Sequence, residues 1–283
     1  MLFDLARSQK KIRWFTQADL SPDIEIWVHD AFADKYLMPI HIQNVREYVD
    51  IQHDNKKVTW DWLTDFPNIA PPFELMWMEY KFENVGKTGF LIHSEKTDDG
   101  WSMVIFNFQQ IESDAPLVSV TNALINKDGS IRQRSNGGWV RNIFPEMPDP
   151  KHIEILRSGL QNALIPVFLS ICFMNCKNIS LDKSPEWPEK LQKSRIRKGK
   201  LPLIRHHTII IDGIKKIIKE AQNGNDGISP KALHICRGHF KNFDEHPLFG
   251  KYRGTYWWPQ QMRGSKAFGE ITKDYKINAV VGG

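Results

Sequence analysis

The sequence predicts an α+β protein: an N-terminal antiparallel β-meander with helices, followed by a C-terminal small open sheet with a short helix. Three observations predict this. Four β-rich runs lie between residues 73 and 132, separated by Gly, Asn and Asp turn chemistry. One long segment repeats its apolar residues at helical spacing. The charge changes sign along the 283-residue chain: residues 1–182 hold 18 Lys and Arg against 24 Asp and Glu, whereas residues 183–283 hold 20 against 9.

Taken in order, the first seventy residues mix short apolar runs with charge and support only helix fragments over Gln43–Ile51 and Thr59–Leu63. The runs FELMWMEYKF, KTGFLIHSE, WSMVIFNFQQ and LVSVTNALI then form the meander, with turns at Asn84-Val85-Gly86, Asp98-Asp99-Gly100 and Lys127-Asp128-Gly129. A helix over 150–175 follows: Asp149 can cap its free amides, Pro150 suits its first position, and Ile153, Leu156, Leu160, Leu164, Val167, Phe168 and Ile171 share a face. The segment 181–200 loses apolar periodicity, gains proline and lysine, and is expected to be a basic linker or arm. Beyond it, Leu203–Asp212 is expected as a strand, Gly213–Gly224 as an amphipathic helix, and Ala232–Phe240 and Thr255–Trp258 as further strands. The organisation expected is an acidic α+β domain over 1–180, the linker over 181–200, and a basic α+β module over 201–283 that carries the candidate site.

Composition narrows the compartment and the chemistry. Three cysteines, Cys172, Cys176 and Cys236, do not make a disulfide framework, and the N-terminal residues show no sustained apolar run. The longest apolar stretch, Ala163–Met174, would cover about 18 Å as a helix against the ~30 Å hydrocarbon layer of a bilayer. A cytoplasmic protein without membrane contact is expected. No metal and no cofactor is expected either. The carboxylates of the basic module are scattered rather than paired, and Cys172, Cys176, Cys236 and His234 match no standard zinc spacing. Gly86-Lys87-Thr88 ends like a phosphate-binding loop, but Lys81 stands where that loop needs glycine.

The functional signal lies in the last fifty residues, where imidazoles, guanidinium groups, glycines and aromatics crowd together. An extended Ala232–Phe240 would place Arg237 and His239 on one face, about 7 Å apart, as phosphate anchor and proton-transfer group. In Pro247–Gly264 the cations Lys251, Arg253 and Arg263 alternate with Tyr256, Trp257 and Trp258, the mixture that holds single-stranded nucleic acid by stacking and charge neutralisation. The pair His206-His207 offers one imidazole, His207, on the face of its strand shared with Arg205, as a second acid–base group.

From Cys172 onward, and most clearly in ALHICRGHFKNF, PLFGKYRGTYWW and QMRG, the chain resembles a family of bacterial and phage-type proteins with a C-terminal RGHF, LFGK, GxYWW and RG motif series. The resemblance transfers no activity. It implies a prokaryotic or mobile-element origin and a single site for the motif residues. Gln261 stands near the final Arg-Gly, where such proteins often bear histidine.

The reading that follows is a nucleic-acid-binding protein, with RNA or single-stranded DNA as partner, acting as a metal-independent endoribonuclease. His239 and His207 would be its acid and base, Arg237 and Arg253 its phosphate stabilisers, and Lys251, Tyr256, Trp257, Trp258 and Arg263 its binding surface. The alternatives are a non-catalytic nucleic-acid-binding or regulatory module on the same surface and a scaffold whose aromatic patch docks another protein. The N-terminal domain is left as the place for a protein partner.

Overall fold

The computed structural model describes residues 2–14, 22–54, 70–82, 86–110, 116–126, 131–132, 163–211, 232–236, 238–258, 261–263 and 265–271. It is an α+β protein that divides into two compact units. The first comprises Met1–Asp50, Trp60–Asn175 and Ser180–Ile210, the second Ile51–Thr59, Cys176–Ile179 and Ile211–Gly283. Residues 180–210 thus go with the first unit, and the boundary drawn from sequence at 181–200 falls inside it.

The first unit is a mixed sheet of nine strands. Its centre is the expected meander: β3 (Leu75–Phe82), β4 (Gly86–Thr97), β5 (Gly100–Gln110) and β6 (Leu117–Asn126) pair antiparallel in sequence order. At one edge, β1 (Arg13–Trp14) runs parallel to the start of β6 and β7 (Ile131–Arg132) antiparallel to its end. On the other side, β2 (Met38–His41) pairs parallel with both β3 and β9 (His207–Ile210), and β8 (Ser180–Lys183) closes that edge antiparallel to β9. Helices α1 (Leu2–Arg7), α2 (Pro22–Ala33) and α3 (Gln43–Asp54) precede the meander, and α3 answers the helix expected near Gln43. Of the helix expected over 150–175, the described part, 163–174, is helical and is α4. The helices expected at Thr59–Leu63 and Gly213–Gly224 lie outside the described residues.

Both faces of the meander are covered, which is why Leu75 to Tyr80 are all buried instead of alternating. One face carries Leu75, Trp77, Leu91, Phe106 and Phe108, packed with Leu2 and Phe3 of α1 and Val28 and Phe32 of α2. On the other face Tyr80 donates its hydroxyl at 2.7 Å to the carbonyl of Ala163, the first described residue of the buried α4. Burial pushes the Tyr80 phenol well above its ordinary range.

A buried carboxylate sits at the middle of this packing. Glu79 is 6% exposed, and its Oε2 accepts the Phe3 backbone N–H at 2.8 Å and the Trp77 indole N–H at 3.0 Å. The first acceptance satisfies an amide in the first turn of α1 that has no partner within the helix, and the negative oxygen suits that end of the helix dipole. The second fixes the indole of Trp77, whose rings then meet Phe3, Phe32 and Phe108 at centroid distances of 5.3–5.5 Å.

The segment expected as a linker is folded. After β8 the chain forms α5 (Glu189–Arg197), a helix with no buried residue. Its attachment is polar. Gln192 donates to the Leu203 carbonyl and accepts from the Leu203 amide, both at 2.8 Å, and Arg195 donates to the Leu201 carbonyl at 3.0 Å. The Trp187 indole donates to the Ile204 carbonyl at 3.2 Å. Side chains that close a segment onto backbone leave no apolar period to read.

Gly89 in β4 faces the Trp77 ring so closely that a Cβ built there would lie 2.2 Å from Cζ2 and 2.5 Å from Cη2. Trp77 is fully buried and wedged among Phe3, Phe32 and Phe108, so it has nowhere to move. Gly89→Ala should therefore destabilise the protein by about 1–3 kcal/mol or more, read as a lower urea midpoint at unchanged slope.

Candidate nucleic-acid interface

The second unit contains two small sheets. Strand β10 (Ala232–Cys236) lies between β13 (Gln261–Arg263) and β14 (Ser265–Ile271). Strand β11 (His239–Asn242) pairs antiparallel with β12 (Thr255–Trp258), so that His239 faces Trp258, Phe240 faces Trp257 and Lys241 faces Tyr256. The single strand expected over Ala232–Phe240 is therefore two strands in two sheets, with the buried Gly238 between them. The alternation argument that set Arg237 beside His239 does not carry across this break, and Arg237 itself lies outside the described residues.

Within the hairpin, directly opposed residues share a face. On one face Tyr256 and Trp258 pack with Phe243, Leu248 and Tyr252 into a small aromatic core. Phe243 lies 5.8 Å from both rings, and the Lys241 ammonium sits 4.6 Å above the Trp258 ring. On the other face Phe240 and Trp257 meet at 4.8 Å. Tyr256, Trp257 and Trp258 are 5%, 1% and 8% exposed. This corrects their assignment as stacking platforms: rings already covered by neighbouring side chains cannot also cover a base. Burial also raises the pKa of Tyr256.

The edge of β12 is closed by the turn at 176–179. Asn178 accepts the Trp257 amide on Oδ1 and donates Nδ2 to the Trp257 carbonyl, both at 2.9 Å, while the Lys177 amide donates to the Thr255 carbonyl at 2.8 Å. One carboxamide thus imitates a neighbouring strand. The Lys177 stem crosses Gly254, which has φ +107° and would set a Cβ 2.9 Å from Cε of that lysine. Cys176 in the same turn is buried, and burial pushes its thiol up to about 12, which disfavours the nucleophilic thiolate at neutral pH.

The polar groups of the hairpin face outward. His239, His246, Lys177, Lys251 and Arg253 are exposed and Lys241 is half-buried, with Asp244 and Glu245 as the acids among them. Arg253 donates to the Asp244 carbonyl, which braces its guanidinium on the loop. For Arg263 the structure gives the strand position opposite His234.

The tip of the hairpin carries a backbone anomaly. Leu248 and Tyr252 exchange two backbone hydrogen bonds, 2.8 and 3.0 Å, and Lys251 donates to the Leu248 carbonyl at 3.1 Å. Phe249 and Gly250 occupy the two central positions with φ of +53° and +71°, the signs of a type I′ turn. Glycine adopts this conformation without cost; an aromatic residue gives up roughly 1–2 kcal/mol. Phe249 is not legible from the residues alone, because a turn dipeptide reads from Gly250 and nothing in the residue order shows which partner takes the strained position.

His207 belongs to the first unit, at the start of β9. It lines a cavity of about 890 Å³ at the N-terminal ends of β2, β3 and β9, together with Trp27, Tyr36, Glu74, His93 and Arg205. Desolvation lowers its pKa, and Lys183, His206 and Arg205 act in the same direction, against a backbone hydrogen bond with Pro39. Arg205 is committed to the Ser184 carbonyl at 2.8 Å and to Glu186 at 2.9 Å. His93, absent from the sequence reading, lies 3.6 Å from Glu74, 3.8 Å from Glu95 and 5.4 Å from the Trp27 ring. Nearby, His41 and His206 approach to 6.0 Å between ring centres, and desolvation lowers the pKa of His41 as well. Among the described residues no three His, Cys, Asp or Glu side chains gather as a metal site, and no helix is long and apolar enough to cross a membrane.

No family model matches the chain, and no curated protein matches it. Among solved structures, that of AcrVA2 is similar at 11% identity and a TM-score of 0.32, over 80% of this chain and 70% of that one. A likeness of that size carries no argument about activity.

The two lowered imidazoles define a pH response. Their folded pKa values lie below the ordinary 6.5, so below that pH the unfolded chain binds more protons than the folded one. Stability should be fully present above pH 6.5 and decline as the pH falls toward the folded values. Urea midpoints across this range should fall with acidification, by less in His41→Gln, and the C2 protons of His41 and His207 should titrate on the acid side of 6.5 by NMR.

Proposed function

We propose that this is a nucleic-acid-binding protein whose phosphate-facing surface is the β11–β12 hairpin of the second unit, and that it acts in the cytoplasm. The observation that carries the reading is the division of labour in and beside that hairpin: Tyr256, Trp257 and Trp258 turn inward, while Lys251, Arg253, His239 and His246, with Lys177 of the adjoining turn, stay at the surface. A rigid aromatic core that displays cations suits a polyanion, because the core fixes the charges in place and a phosphate backbone neutralises them together. Residues 211–283, the part of that basic stretch that belongs to the second unit, hold 12 Lys and Arg against 7 Asp and Glu, a positive balance that points the same way. Affinity on this reading comes from phosphate contact, with Trp257 and Trp258 as support beneath the surface.

The finer form of the proposal is metal-independent cleavage of RNA. In that reaction the 2′-hydroxyl loses its proton to a base and attacks the adjacent phosphorus, while the 5′-oxygen leaves with a proton from an acid. His239 is the imidazole assigned to one of these transfers and Arg253 the cation that stabilises the phosphorane oxygens. His246 supplies a further imidazole in the same unit. His207 has surroundings of its own in the first unit, and the reading asks nothing of it.

Titration of labelled single-stranded RNA with the full chain should give an affinity that falls steeply with salt. Lys251→Gln and Arg253→Gln should each flatten the slope of log K against log salt by about 0.7–1. Binding that hardly changes with salt would replace this reading with protein docking. Incubation in EDTA tests the finer form: wild type should release product, and His239→Ala should abolish cleavage with affinity retained. Persistent cleavage by that variant would remove His239 from the chemistry, and no product from wild type would leave a binding module.

A further inference from the structure

Phe249 is the one non-glycine residue with positive φ among the described residues, and it is 61% exposed at the tip of the turn. Its neighbours behave differently: Leu248 and Tyr252, which close the turn, pack against the Tyr256 and Trp258 core. The fold therefore gains little from this ring and bears the cost of its backbone. A strained position held by a well-bonded turn is where a contact made outside the protein is to be sought. The surroundings say what kind. Lys251, two residues on, lies with its ammonium 5.3 Å from the Tyr252 ring, and the exposed Arg253 follows. A projecting aromatic face bordered by cations matches an unpaired nucleobase with its flanking phosphates. A continuous anionic surface such as a membrane fits less well, because Asp244 and Glu245 are exposed on the loop that enters this turn.

We propose that Phe249 is the base-stacking residue of this protein: it projects from the hairpin tip to stack on an unpaired base of single-stranded nucleic acid, while Lys251 and Arg253 neutralise the adjacent phosphates. The proposal rests on the nucleic-acid reading above and adds to it the contact that Trp257 and Trp258 cannot make.

The test is Phe249→Asn, since asparagine tolerates the left-handed conformation and removes the ring. The variant should melt at or above the wild-type temperature, yet bind single-stranded RNA ~5- to 150-fold more weakly at one salt concentration, the worth of one stacked base. Its salt slope should be that of wild type. Phe249→Tyr should bind as wild type, and RNA carrying 2-aminopurine should show fluorescence quenching with wild type and Phe249→Tyr that Phe249→Asn loses. Wild-type affinity and quenching in Phe249→Asn, with a steep salt slope, would overturn the stacking role and leave the nucleic-acid reading standing. Absence of RNA binding by wild type at low salt would overturn both. Loss in Phe249→Asn of binding to phosphatidylserine vesicles, with RNA affinity unchanged, would make the ring a membrane wedge and overturn the proposal.

Discussion

The carboxylate of Glu79 is the constraint on which the first unit depends. It stands on the central strand β3, almost fully buried, and a single oxygen accepts from the first turn of α1 and from the indole of Trp77. A buried carboxylate without such partners would cost several kcal/mol, so the position holds only if the helix terminus and the indole are both delivered to it. That requirement orients α1 across the sheet and sets the plane of Trp77. The plane in turn fixes the contacts to Phe3, Phe32 and Phe108 and requires a residue without a side chain at position 89. The core is specified from its one polar point outward.

The second unit uses a different economy. Its hairpin is too short to bury a large core, so it stacks aromatics on both faces of two strands and secures the outer edge of β12 with an asparagine. Lys241 shows how charge enters this arrangement: its stem lies along the aromatic layer and its ammonium sits over Trp258, covering the indole while remaining cationic at the surface. Aromatic density and positive charge are then two layers of one structure, with the rings supporting the cations from below.

How much of this the residues disclose depends on whether the local signal and the packing agree. The meander is legible because Gly86 and Gly100 punctuate apolar runs of strand length, and all four strands form where those runs lie. The 180–200 segment is illegible because Gln192, Arg195 and Trp187 secure it through hydrogen bonds to backbone. Ala232–Phe240 contains a continuous β-rich run, and its division at Gly238 between two sheets depends on which partners, β13 and β14 or β12, compete for each half. In the candidate site, residue types and outward charges follow from composition. The direction taken by Tyr256, Trp257 and Trp258 does not, since a strand of four large aromatic and polar residues has no inside until its neighbours cover it. Phe249 is the converse case, a ring left outside by the sign of one backbone angle.

The carboxamide of Asn178 also bears on how the molecule behaves in a crowd. A two-stranded ladder offers a free row of amides and carbonyls to any extended chain that approaches, which is how misdirected strand addition and fibrous assembly begin. By occupying both the N–H and the C=O of Trp257, with the Lys177 amide taking the carbonyl of Thr255, the 176–179 turn withholds these groups of β12 from an incoming strand. A polar side chain so placed acts as a stopper and keeps an aromatic-rich ribbon from recruiting its own kind.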